Sequence, residues 1–185
     1  MNEIYVDPVC PWCWRTAQWF FETANKNNDD FVIKPFSLFR KAVYDGNPPE
    51  EDSPTWLKLS RVIAGVIKDN PENAQLHKDT YWELATNWHE NLLRDLPKNA
   101  EWEKYFDDES LDADLDEQIK SAISVTGSDL GVPIIINRSI EPNVGYFGPV
   151  IDNVPKGDEA QKLYESMTTL LNTQGVYEIK RMRTK

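Results

Sequence analysis

Both cysteines of this 185-residue chain lie in one short stretch, "VDPVCPWCWRT" (residues 6–16), as Cys10 and Cys13 with Pro11 and Trp12 between them. Two thiols at this spacing can close into a disulfide, supply half of a metal site, or simply pack as small apolar groups. A structural zinc ion needs two further ligands. The chain offers His77 and His89 besides carboxylates, and neither stands in a finger-like spacing. Pro11 argues against inert packing, because its preset φ and missing N–H suit the first position of a helix. Cys10 is then at a helix start, where unpaired backbone N–H groups and the positive end of the macrodipole favour a thiolate. Cys13 falls one turn further in and is expected to be the more buried of the two. The roles follow: Cys10 attacks as thiolate, and Cys13 resolves the mixed disulfide that results.

The flanking elements must hold that geometry. "EIYV" (3–6) is a short apolar run ended by Asp7-Pro8 and reads as a strand. From Cys10 onward Trp14, Ala17, Phe21 and Ala24 recur at helical spacing, with Arg15, Gln18, Glu22 and Asn25 between them. "FVIKPFSLF" (31–39) reads as a second strand, and Pro35 places it at a sheet edge. Residues 53–127 carry no strand pattern. They read as several helices, the clearest over 75–94 with Leu76, Tyr81, Leu84, Ala85, Trp88 and Leu92 on one face. Ten acidic residues in 101–129 read as a solvated helical face rather than an acidic binding site. "PIIIN" (133–137) and "VGYF" (144–147) read as an antiparallel pair. A last helix over 158–172 buries Ala160, Leu163, Tyr164, Met167, Leu170 and Leu171, ahead of a basic tail, "YEIKRMRTK". The order is β-α-β, helices, β-β-α: an α/β fold with an all-helical insertion between the second and third strands.

Composition excludes several function classes. The 20 basic and 31 acidic residues give a net charge of -11, which repels phosphate backbones and anionic lipid and so argues against nucleic-acid and membrane partners. The opening "MNEIYVDPVC" has no basic region followed by an apolar stretch, and no run approaches the ~18 apolar residues of a membrane span. The expectation is a cytoplasmic chain. In a reducing compartment a close pair of cysteines is seldom a permanent staple. No G-x-G-x-x-G follows a strand, so a bound nicotinamide or flavin is not indicated, and no tightly bound cofactor is expected.

With C-P-W-C after the first strand, helices after the second, and "GVPIII" opening the third, the chain resembles the DsbA-like branch of the thioredoxin superfamily. "DPVCPWCW", "GVPIIIN", "YFGPV", "VPKGDEAQKLY" and "YEIKRMRTK" are similar to the actinobacterial mycothiol-dependent nitroreductase family, with a weaker likeness at "NWHENL". The resemblance implies a thioredoxin-like domain over 1–40 and 128–185 and a helical insertion over 41–127. It makes Cys10 the nucleophile, Cys13 the resolving thiol, and Pro133 a cis-proline whose preceding residue, Val132, aligns substrate through its backbone. An isolated X-Pro bond would favour trans, with only ~5% cis in folded proteins. Trp12, between the cysteines, is expected to be exposed and to shape the pocket with Trp14, for which core packing is the plainer reading. His89 lies on the polar side of its helix, facing either pocket or solvent. Asp7 is a turn former that could also relay protons.

The implied activity is thiol-disulfide exchange: reduction of mixed-disulfide proteins or small electrophiles such as nitroaromatics, with mycothiol as the low-molecular-weight thiol partner. Two departures touch this reading. The hairpin "NRSIEPN" is longer than the family's tight turn, and Val132 stands where a threonine is more usual. Two rivals share the architecture or dispense with the chemistry. A kappa-type thiol transferase or chromene-carboxylate isomerase uses a serine where Cys10 stands, and a binding or holdase module would leave the cysteines incidental.

Overall fold

The computed structural model describes residues 1–51 and 53–181, so the last four residues of the basic tail lie outside the described residues. Strand β1 (Asn2–Val6) leads through Asp7-Pro8 into helix α1 (Pro11–Asn27), and β2 (Phe31–Pro35) follows. Helices α2 (Leu38–Tyr44), α3 (Thr55–Asp69), α4 (Ala74–His89), α5 (Glu103–Phe106) and α6 (Leu111–Thr126) come before β3 (Ile134–Asn137) and β4 (Val144–Phe147). Helix α7 (Gly157–Leu171) is last. The sheet order is β2-β1-β3-β4, with β1 parallel to β2 and antiparallel to β3, and β3 antiparallel to β4. Pro35 therefore sits on an edge strand, where its missing N–H costs no ladder bond.

Ile4 faces Ile33 on one side and Ile135 on the other, so three β-branched side chains run across the centre of the sheet. Tyr5 points to α6, where its hydroxyl meets Ser121 at 3.2 Å, and it also accepts from Arg138, just after β3, at 3.0 Å. Helix α6 packs on β2, β3 and β4, and α4 packs on β2. Helices α1 and α7 pack together, with the Trp19 indole N–H donating to the Ala160 carbonyl at 3.0 Å. Buried residues of the helical stretch, among them Leu57, Tyr81 and Leu115, belong to the same apolar cluster as the sheet and α1. No described helix is long and apolar enough to cross a membrane.

Three expectations are corrected. The second strand ends at Pro35 instead of Phe39, because Ser37 caps α2 by accepting the Arg40 N–H at 3.3 Å. Helix α4 ends at His89 instead of near residue 94: Leu92 takes a left-handed φ of 54° and is 67% exposed. The acidic stretch is not wholly a solvated face. Asp112 pairs with the buried Arg61 at 2.7 Å and also reaches Arg40, which Asp116 holds at 2.6 Å. These pairs tie α6 to α2 and α3.

Candidate active site

The β1–α1 junction is built around Asp7. Its carboxylate is fully buried and accepts two backbone N–H groups, from Val9 at 2.9 Å and from Leu38 at 2.7 Å. The first bond shapes the turn into α1, the ordinary role of an Asp before proline. The second locks the start of α2 against the loop that carries the cysteines, a link across 31 residues that sequence spacing could not show. Burial raises the Asp7 carboxyl from 3.8 to about 6, against the lowering effect of the Leu38 and Val9 N–H groups.

Cys10 is the N-cap of α1 and Pro11 its first residue, as the motif predicts. Both cysteines are free thiols, Cys10 5% exposed and Cys13 fully buried. The Cys10 thiol is lowered and the Cys13 thiol is raised well above the ordinary value. The helix-start N–H groups contribute, as expected, but they are not the leading cause. Cys10 is lowered first by hydrogen bonding from the Cys13 side chain, and then by the backbone N–H groups of Cys13 and Trp12, while its burial opposes. Cys13 is raised first by burial, then by its partner Cys10, and the Asp7 N–H at 3.5 Å from its sulfur only partly offsets this. The pair is asymmetric: one thiol is prepared to ionise and the other to hold its proton.

A second element closes on the sulfurs. The Val132–Pro133 bond is cis, and the Val132 carbonyl lies 3.8 Å from Cys10 Sγ, within reach of a thiol donor. Val132 and Pro133 are both buried. The Pro133 carbonyl in turn accepts the Gly148 N–H at 2.8 Å, and Gly148 has the positive φ of 105° that suits glycine. Next to it, the Pro149 carbonyl accepts the Thr16 hydroxyl at 2.7 Å. "YFGPV" is thereby fastened to the first turns of α1, which the sequence motif gave no way to anticipate.

Helix α4 supplies the third side. The His89 ring lies 3.1 Å through Nε2 from the Pro8 carbonyl and stacks on Trp14 at 6.3 Å between centroids. Of the two surroundings left open for it, His89 meets the cysteine loop and is half-buried, and burial lowers its imidazole. Trp14 is core, as its stripe position implies, with Trp82 edge-on at 4.7 Å. Trp12 corrects an expectation: it is half-buried, packed against the core cluster, with the Arg15 guanidinium 5.1 Å over its ring. His77 is turned away into the fold, bonded to the Asn70 carbonyl at 2.7 Å. Among the described residues no group of three or more His, Cys, Asp and Glu side chains is placed to hold a metal ion.

A surface depression of about 360 Å³ lies on α4, lined by Trp82, Thr86 and Asn87 among others, and does not include the sulfurs. A model of the family described as Rv2466c-like, mycothiol-dependent nitroreductase Rv2466c, matches residues 70–181. The chain belongs to this family. The match runs from the start of α4 through α7, so it includes His89, Val132 and Pro133 and leaves the cysteine pair outside. A solved structure from Nitrosomonas europaea, assigned as a protein disulfide isomerase, is similar at a TM-score of 0.57. The likeness covers 94% of this chain and 98% of that one at 13% identity. It shows the fold, a thioredoxin fold.

Proposed function

We propose that this member of the Rv2466c-like family is a cytoplasmic thiol-disulfide oxidoreductase in which Cys10 attacks and Cys13 resolves. The observation that carries the reading is the asymmetry of the pair: Cys10 lowered and 5% exposed, Cys13 raised and fully buried. The Cys10 thiolate attacks a mixed disulfide, forms a new S–S bond to one half and releases the other half as a thiol. Cys13 then gives up its proton and attacks Cys10 Sγ. The intramolecular disulfide forms, and the second half of the substrate leaves, taking up a proton. Two molecules of a low-molecular-weight thiol, each contributing one electron and one proton, restore the pair and depart as their own disulfide.

Mycothiol is the thiol that the family's name points to, and mixed-disulfide proteins or nitroaromatic electrophiles are the substrates. Nitro-to-nitroso reduction consumes the same two electrons and two protons that one dithiol releases, with loss of water. In this reading Trp12, Val132, Pro133 and His89 form the substrate surface around Cys10, and residues 41–127 form a helical insertion on a thioredoxin-like domain of 1–40 and 128–185. Turnover of a mixed-disulfide substrate with mycothiol or glutathione as the sole reductant tests it. Sustained turnover with mycothiol is expected; no turnover with either thiol would sink the reading.

A further inference from the structure

Tyr81, on the face of α4 that meets α1, is fully buried with its ring 6.1 Å from Phe21. Its hydroxyl has no hydrogen-bond partner among the described residues. A buried hydroxyl left unpaired is costly, and packing beside Phe21 needs only the ring. The ionisable groups that act on this hydroxyl are Cys13 first, then Cys10 and Asp7. Next to Tyr81 on α4, Trp82 meets Trp14, the neighbour of Cys13, edge-on at 4.7 Å, and His89 joins the end of α4 to the cysteine loop.

Resting on the oxidoreductase reading, we propose that the Tyr81 hydroxyl is the hydrogen-bond donor that steadies Cys13 when its sulfur becomes the attacking thiolate, directly or through one water. Cys13 needs such a donor. With Cys10 tied up in the mixed disulfide, the charge that still acts on it, that of Asp7, is negative, and the neutral Asp7 N–H at 3.5 Å is a long contact. In the dithiol, Cys13 is protonated and makes little demand on a donor, so the hydroxyl waits unpaired. In the resolving step Cys13 loses its proton, its thiolate attacks Cys10 Sγ, the bond from Cys10 to the substrate sulfur breaks, and the leaving thiolate takes up a proton. Tyr81 keeps its own proton throughout. Initial attack by Cys10 does not involve it.

Dithiodipyridine as the disulfide probe separates the two steps optically in a single turnover. Attack by Cys10 releases one pyridinethione and resolution by Cys13 releases a second. In the wild type both must be released and the intramolecular disulfide must form; if they are not, the oxidoreductase reading itself fails. In Tyr81→Phe the first release should keep its rate within about twofold, and the second should slow about tenfold or more, the size of a hydrogen bond to a charged acceptor. The pH midpoint of the second release should also move up, against a background of Asp7, Cys10 and His89 that the substitution leaves in place. Because the hydroxyl has no partner in the dithiol, the variant should melt at or above the wild-type temperature. An unchanged second release, or an equal slowing of both, overturns the inference.

Discussion

The His89 ring nitrogen lies 3.1 Å from the carbonyl of Pro8, two residues before Cys10. One hydrogen bond therefore joins the last residue of α4 to the loop that aims the sulfur, with Trp14 stacked alongside. The cysteine loop is held from three directions: by Asp7 to α2, by Val132 to the start of β3, and by His89 to α4. The Asp7 and His89 bonds persist when either sulfur changes charge, whereas Cys10 gives up its contact with the Val132 carbonyl on ionising, because a thiolate cannot donate.

His89→Ala should lower turnover several-fold and cost about 1 kcal/mol of stability, the usual net worth of one hydrogen bond. His89→Gln, which can still donate to Pro8, should recover most of the turnover. Steady-state rates together with urea unfolding check this. Equal activity in all three proteins would show that α4 does not help to place the loop.

The Cys13 side chain is the leading cause of the lowered Cys10 thiol, so its removal should be felt at Cys10. Thiolate absorbance against pH should give a higher midpoint in Cys13→Ala than in the wild type, with Cys13→Ser in between because serine still donates. Incubated with a disulfide substrate, Cys13→Ser should accumulate a mixed disulfide on Cys10 visible by intact mass, and Cys10→Ser should trap none. A Cys10 midpoint indifferent to residue 13 would return the explanation to the helix start alone.

How much of this site was legible in the sequence depends on the range over which each residue acts. Cys10, Pro11 and Cys13 announced a helix start because their meaning is local, and Pro35 announced an edge strand for the same reason. Leu92 misled, since it continues the apolar spacing of α4 although the chain has already turned at Glu90. Ser37 looked like part of an apolar strand because Phe36 and Leu38 flank it, yet its hydroxyl caps α2. The acidic run around Asp112 read as solvated because its partner Arg61 lies 51 residues away, on another helix. Tyr81 was visible only as one apolar position in a helical stripe. What sets it apart is the missing partner of its hydroxyl, which no spacing rule encodes.

Asp7 should leave a mark on stability against pH. Its folded carboxyl is raised from 3.8 to about 6, so between these values the folded protein binds more protons than the unfolded chain. Stability from this group is therefore present below about pH 4, is lost as pH rises to about 6, and stays lost above, by about 3 kcal/mol in all. In Asp7→Asn that slope should vanish, although one of the two backbone bonds weakens because the amide nitrogen cannot accept. Urea unfolding at several pH values from 4 to 7 measures it. A wild-type curve parallel to that of Asp7→Asn across this range would refute the assignment.

Arg61 is 3% exposed at its side chain and binds Asp112 through both Nε and Nη2, at 2.7 and 2.9 Å, with further bonds to Ser53 and the Phe106 carbonyl. Removing one partner of such a pair leaves a largely desolvated charge behind, and Arg61→Met should cost about 3 kcal/mol. That is near the low end for buried pairs, because Asp112 keeps a bond to Arg40 at 3.4 Å. The double variant Arg61→Met with Asp112→Leu should recover a substantial part of the loss, since no stranded carboxylate remains. The Cys10 midpoint should be unchanged in both, because this network joins α2, α3 and α6 without touching the cysteine loop. Urea midpoints and thiolate titration on the same proteins decide the matter. A loss below about 1 kcal/mol in the single variant would mean that the pair is solvated and that α3 is held to α6 by apolar packing alone.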